Sequence, residues 1–145
     1  MKITVDDVVR EVRKLATKQP DFNYKDQAGV DNWGMSCSYL AGMSSTQYKD
    51  SELSESGLTY SEARTQGILG KGCIVGQALT SLGVPADALY EFEGMGADYT
   101  VGSITGHSEE SVSGKLLWLL EVQNSQDVGN PWGSAVEYAD TLVKL

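Results

Sequence analysis

Cys73 and His107 are the residues of this sequence whose types suit nucleophilic catalysis. Cys73 stands near the head of an apolar stretch, GCIVGQALTSLGVP, which has helical spacing. The positive end of a helix dipole favours a thiolate, and a histidine can serve as its base. In this hypothesis His107 takes the proton and Asp98 or Asp127 orients the imidazole. The chemistry would be that of a small Cys/His hydrolase or transferase.

The same cysteine also fits a purely structural role. Ile74 and Val75 follow it on an apolar stripe, and such cysteines are usually buried. The chain has one other cysteine, Cys37, and in a reducing cytosol both are expected as free thiols in the core. We favour the structural interpretation and predict no catalytic residue, with Cys73 and His107 kept as weak candidates.

The residues that could form cofactor or metal motifs do not have the spacings that those motifs require. Gly67, Gly70 and Lys71 do not have the Walker spacing, and Gly72 stands where that motif needs a hydroxyl. The dinucleotide fingerprint needs its third glycine one residue before Gly76. The soft metal ligands, Cys37, Cys73 and His107, form no local pair of the kind that structural zinc sites show. The sequence therefore predicts neither a cofactor nor a metal.

The net charge of −9 is concentrated in the second half of the chain. Residues 1–71 hold nine Lys/Arg and ten Asp/Glu, whereas residues 72–145 hold two and ten. An acidic half repels phosphate backbones, so direct nucleic-acid binding is not expected. No apolar run approaches the roughly 20 residues of a membrane span, and MKITVDDVVREVRK lacks the layout of a signal peptide. These features predict a cytoplasmic protein that does not bind membranes.

Helical signals dominate the chain. Thr4 and Asp7 have the spacing of a capping box, the apolar residues behind them recur at helical intervals, and Pro20 ends that helix. Gly83 and Val84 have the pattern of a Schellman ending for the helix after Cys73. Further on, apolar stripes predict a helix from about residue 108 and another from Pro131, most simply as an antiparallel hairpin.

Two segments lack such signals. Residues 43–70 are rich in Ser, Thr and Gly, which predicts a long surface loop with a helical turn near Thr59–Arg64. Residues 94–106, GMGADYTVGSITG, predict a loop with at most a short strand or hairpin at Tyr99–Ile104. The expected fold is thus a single mainly α domain over residues 1–145, a helical bundle with a long irregular segment and little β structure.

Three motifs resemble a group of small proteins encoded by actinobacteriophages. They are Cys37-Ser-Tyr39, GCIVGQAL with the later LGVP85, and QDVGNPWGSAV at 126–136. The resemblance covers about the last half of the chain and the short Cys-Ser-Tyr element, and residues 43–70 have no part in it. It implies a phage accessory protein acting in the cytosol of a bacterial host, and it implies no activity.

The predicted function is therefore that of a non-enzymatic, acidic accessory protein that binds and modulates or inhibits a host protein. One form of this hypothesis is a nucleic-acid mimic, which requires the carboxylates of residues 87–140 to lie in rows at phosphate-like spacing. The alternative is the Cys73/His107 enzyme. The sequence identifies neither the partner nor the oligomeric state.

Overall fold

The computed structural model describes residues 2–24, 49–65, 72–85, 88–89, 91–92, 95–106 and 113–145. This part of the chain contains six α-helices, one 3₁₀ helix and no strand. The helices are α1 (Val5–Lys18), α2 (Tyr60–Thr65), α3 (Ile74–Ser81), α4 (Ala97–Thr105), α5 (Ser113–Asp127) and α6 (Trp132–Leu142), and the 3₁₀ helix is Glu52–Ser56. The prediction of a mainly α domain is confirmed.

The start of α1 has the capping box that the sequence predicts. Thr4 Oγ1 accepts a hydrogen bond from Asp7 N at 3.1 Å, and Asp7 Oδ2 accepts one from Thr4 N at 3.0 Å. The hydrogen bond from the Thr4 backbone holds the pKa of Asp7 below its usual value of 3.8. The helix ends before Pro20 and buries one face: Val5, Val8, Val9, Val12 and Ala16.

The end of α3 also follows its sequence signal. Gly83 has a φ of +95°, a left-handed conformation that favours glycine. Val84 N donates to Leu79 O and Gly83 N donates to Thr80 O, each at 3.0 Å. These are the two hydrogen bonds of a Schellman motif, so the prediction is confirmed.

Helices α5 and α6 form the predicted hairpin, which is the most extensive helix pairing among the described residues. The α1 helix packs against α3, α4, α5 and α6, and so covers one side of the core. The link after α1 is fixed to the hairpin: Gly133 N donates to Pro20 O at 2.9 Å, and the rings of Phe22 and Trp132 are 4.4 Å apart. Leu142 is the one exposed residue, at 51%, of the apolar stripe predicted for α6, which consists of Trp132, Ala135, Val136, Ala139, Leu142 and Val143.

One local prediction is wrong, and the helical turn predicted near Thr59–Arg64 is found as α2. Tyr99–Ile104 is not a strand or hairpin but lies inside α4. Within the predicted loop 43–70, the described residues 49–65 contain the 3₁₀ helix and α2, and the rest of that range lies outside the described residues. Thr59 caps α2 through reciprocal hydrogen bonds with Glu62, at 2.9 and 3.1 Å.

Candidate functional site

Cys73 is the N-cap residue of α3 and is completely buried, as the structural interpretation predicts. Its sulfur, however, is in a disulfide bond, and no described cysteine is free. The expectation of a free thiol at this position is therefore wrong. A disulfide sulfur has no thiolate form, so Cys73 cannot attack a substrate in this state.

Asp127 and Asp98, the two candidate orienting residues, lie at the end of α5 and at the start of α4. His107 lies outside the described residues. Asp127 is buried, and its Oδ1 accepts a hydrogen bond from Gln126 Nε2 at 2.5 Å. Asp98 is half-buried in the first turn of α4. Across the described segments, no group of three or more His, Cys, Asp or Glu side chains could hold a metal ion.

Among the described residues, a groove of about 540 Å³ lies between α4 and the start of α5. Volumes of about 300–1,000 Å³ are typical of ligand-binding clefts. Its lining residues come from both helices: Asp98, Tyr99, Gly102, Ser103, Gly106, Ser113, Leu116 and Leu117. We refer to it as the α4–α5 groove.

Helical spacing explains why these residues line one surface. On α4, Tyr99, Gly102, Ser103 and Gly106 are separated by three, four and seven positions, and so they share a face. Glycine and serine place little or no side chain on this face, which leaves the space open. On α5, Leu116 is nearly buried, whereas Leu117 is 46% exposed.

Two large apolar residues that line the groove, Tyr99 and Leu117, are exposed. Tyr99 is 59% exposed, and its ring lies 6.2 Å from the ring of Phe92 in a tilted pair. Exposed apolar side chains that adjoin a groove indicate an interaction surface more strongly than isolated ones do.

The wall formed by α4 is attached firmly to the core. Its residues Ala97, Thr100, Val101 and Thr105 are buried. Ala97 N, at the start of α4, donates a hydrogen bond of 2.6 Å to Oε1 of the buried Gln123 on α5. Helices fixed in this way present a largely preformed surface, which lowers the entropy cost of binding.

Among the described lining residues one is charged, and it is acidic. This residue, Asp98, is the acidic residue of the first turn of α4. Its Oδ1 lies close to Gly96, since a Cβ added at Gly96 would stand 2.7 Å from that oxygen. Two acids elsewhere in the acidic half are not available as free surface charges: Asp127 is buried, and Asp140 forms an ion pair with Arg13.

This groove does not follow from the sequence, because residues 94–106 predict loop or strand where the structure has α4. Four β-branched residues (Thr100, Val101, Ile104 and Thr105) and Gly102 favour strand or loop over helix. One feature of the sequence indicates α4: the helical spacing of Ala97, Val101 and Ile104, which places these side chains on one face.

Comparisons with known proteins identify no relative. No protein family matches the sequence, and neither a curated protein nor a solved structure is significantly similar to it. Among the described residues, no helix is long and apolar enough to cross a membrane.

Proposed function

We propose that this protein is a non-enzymatic binding protein whose α4–α5 groove holds a positively charged amphipathic helix of a partner protein. The observation that carries the proposal is the open groove with exposed Tyr99 and Leu117 beside it. Helix-in-groove recognition uses apolar side chains at positions i, i+3, i+4 and i+7 of the bound helix. The small residues of α4 give such side chains room, and Tyr99 and Leu117 offer them apolar contact.

Charge complementarity supports a basic partner. Asp98 lies in the groove, and residues 72–145 carry ten acidic and two basic side chains. Opposite charge speeds association and fixes orientation more than it adds affinity. The apolar side chains of a basic amphipathic helix match the apolar residues of this surface, and its basic side chains match the acidic ones.

The same charges favour a groove binder over a nucleic-acid mimic. A mimic needs rows of free carboxylates, whereas Asp127 is buried and Asp140 is paired with Arg13. Recognition through exposed apolar side chains does not need such rows. The resemblance to actinobacteriophage proteins supports a cytosolic host protein as the partner, and it remains part of the proposal.

The enzymatic alternative receives less support. It requires an accessible thiolate at Cys73, and this residue is buried and disulfide-bonded. Catalysis by a cysteine depends on the thiolate form and on access for the substrate. The α4–α5 groove is lined by no cysteine among the described residues.

A synthetic peptide provides the test. The probe is a labelled helical peptide of about 18 residues, with leucines at i, i+3, i+4 and i+7 positions and lysines elsewhere. Its affinity is measured by fluorescence anisotropy against the full chain and two variants. Leu117→Asp places a charge in the groove, and we expect it to weaken binding by about tenfold or more.

Leu142→Asp is the matched control, because Leu142 is similarly exposed at 51% but lies on α6, outside the groove. It should bind the peptide as the unmodified protein does, and circular dichroism should show that both variants are folded. Equal affinity of the two variants, or no binding by the unmodified protein, would contradict the proposal. A peptide with glutamates in place of the lysines should bind more weakly, because Asp98 lines the groove.

A further inference from the structure

A stripe of exposed and half-exposed residues runs along α5 and ends one position beyond it. It consists of Gly114, Leu117, Glu121, Asn124 and Val128, which follow one another at intervals of three or four positions. Residues at these intervals lie on one face of a helix. Val128 N donates to Asn124 O at 3.2 Å, so the helical hydrogen bonding reaches Val128. We refer to this surface as the α5 stripe.

The α5 stripe meets the α4–α5 groove at Leu117, which belongs to both. Ala97, at the start of α4, donates a hydrogen bond to Gln123 near the end of α5. Gly106, just after α4, lines the groove together with Ser113 at the start of α5. The two helices therefore run antiparallel, with the groove along their length. A helix that lies in this groove runs beside α5, in line with the α5 stripe.

The far end of the α5 stripe offers a second apolar contact. Of the large apolar residues in the described part of the chain, Val128 is the most exposed, at 72%. It follows Leu117 by eleven positions, which correspond to about three helical turns and about 16 Å. A partner helix beside α5 rises by the same distance per residue. Its apolar residues at positions i and i+11 share one face, so together they can contact Leu117 and Val128.

The charge of the α5 stripe is negative and available to a partner. Glu121 is half-exposed, lies one turn beyond Leu117, and forms no ion pair within the described part of the chain. Lys115, the one basic residue of α5, pairs with Asp6 on α1 at 2.6 Å. A lysine or arginine of the partner is the complement of Glu121. A second copy of this chain fits less well, because each copy has a net charge of −9.

We propose that the bound helix extends beyond the α4–α5 groove along the α5 stripe to Val128. The inference rests on the proposed function, since it concerns the same basic amphipathic helix. It assigns that helix a recognition motif of about three turns. One apolar residue of the motif contacts Leu117, a second apolar residue eleven positions away contacts Val128, and a basic residue between them faces Glu121.

Two labelled helical peptides of about 18 residues test the motif against the full chain by fluorescence anisotropy. Both have leucines at positions i, i+3, i+4 and i+7, and they differ at i+11, which is leucine in one and alanine in the other. All other positions are lysine. The unmodified protein should bind the peptide with leucine at i+11 about fivefold more tightly or more. Val128→Asp should remove this difference, because it weakens binding of that peptide alone.

Glu121→Lys tests the charge independently. It should weaken binding of the lysine peptides by about threefold or more and strengthen binding of a peptide with glutamates in place of the lysines. Leu142→Asp is again the matched control, and circular dichroism should show that every variant is folded.

The outcomes separate this inference from the proposed function. If Leu117→Asp weakens binding while Val128→Asp and Glu121→Lys bind both peptides as the unmodified protein does, the extension along α5 is wrong and the groove still stands. Val128→Asp weakening both peptides equally would also overturn the extension, because the loss would not depend on the residue at i+11. If the unmodified protein binds neither peptide, both proposals fail.

Discussion

The guanidinium of Arg13 on α1 donates two hydrogen bonds to the carboxylate of Asp140 on α6. Nη1 lies 3.0 Å from Oδ2, and Nη2 lies 2.7 Å from Oδ1. The indole Nε1 of Trp118 on α5 also donates to Asp140 Oδ1, at 2.9 Å, and the Arg13 Cζ atom lies 4.7 Å from the Trp118 ring centroid. Two charged side chains and one aromatic side chain thus connect α1, α5 and α6.

We predict that Asp140→Ala lowers the free energy of unfolding by about 1–2 kcal/mol. The ion pair contributes only part of this, because both side chains are 41% exposed and solvent weakens their attraction. The rest arises because Trp118, which is buried, loses the acceptor for its indole N–H. Urea denaturation measures the change. Glu137→Ala on the exposed face of α6 is the control, and an equal loss in both variants would contradict the prediction.

The Arg13–Asp140 pair should also give stability a defined dependence on pH. Hydrogen bonds from Arg13 lower the pKa of Asp140 from its usual value of 3.8. A carboxyl group with a lower pKa in the folded state adds stability above its unfolded pKa and loses it as the pH falls through the folded pKa. The hydrogen bonds with Asp140 raise the pKa of Arg13, which has no effect in the acid range.

We therefore expect the difference in unfolding free energy between the unmodified protein and Asp140→Asn to be constant from about pH 5 to 8 and to shrink below about pH 4. Urea titrations at a series of pH values measure it. The pKa values of Asp7 and Glu62 are also lowered, but these residues are present in both proteins and cancel in the comparison. A difference that stays constant down to about pH 2 would show that the pair contributes no charge-dependent stability.

Features that depend on neighbouring residues could be predicted from the sequence. The capping box of Thr4 and Asp7 and the Schellman motif at Gly83 and Val84 are each completed within a few residues, so their patterns specify them. The α5–α6 hairpin followed from two apolar stripes and a short turn. The α4–α5 groove did not follow, because α4 was predicted as loop or strand.

Long-range polar contacts were not predicted either. Gln123 and Gln126 on α5 are buried, and their side-chain oxygens accept the first backbone N–H of α4 and of α3, Ala97 N and Ile74 N. Both glutamines lie on the apolar stripe that contains Leu116 and Leu119, at spacings of three, four and seven. Their position on the stripe predicts burial, but no local pattern shows which distant helix each one caps.

We predict that Gln126→Leu lowers the free energy of unfolding by about 2–4 kcal/mol. Gln126 Oε1 accepts from Ile74 N at 3.3 Å and from Trp132 Nε1 at 3.2 Å, and both donors would lose this acceptor inside the core. Buried donors without acceptors cost about 1–3 kcal/mol each. Urea denaturation followed by tryptophan fluorescence measures the loss. Asn124→Leu on the exposed side of the same helix should change stability by less than about 0.5 kcal/mol, and similar losses in the two variants would argue against the capping role.

Two helical glycines should respond to alanine with opposite signs. A Cβ at Gly133 on α6 would lie 2.9 Å from Pro20 Cβ and 3.0 Å from Pro20 O, whereas a Cβ at Gly114 on α5 meets nothing within 4 Å. Alanine favours helix over glycine by up to about 1 kcal/mol. Gly114→Ala should therefore raise the free energy of unfolding by up to that amount. Gly133→Ala should lower it by about 1–2 kcal/mol, because the backbone of Pro20 cannot move aside easily. Thermal and urea denaturation measure both changes, and a gain in stability for Gly133→Ala would show that the contact between α6 and the link after α1 is looser than its distances indicate.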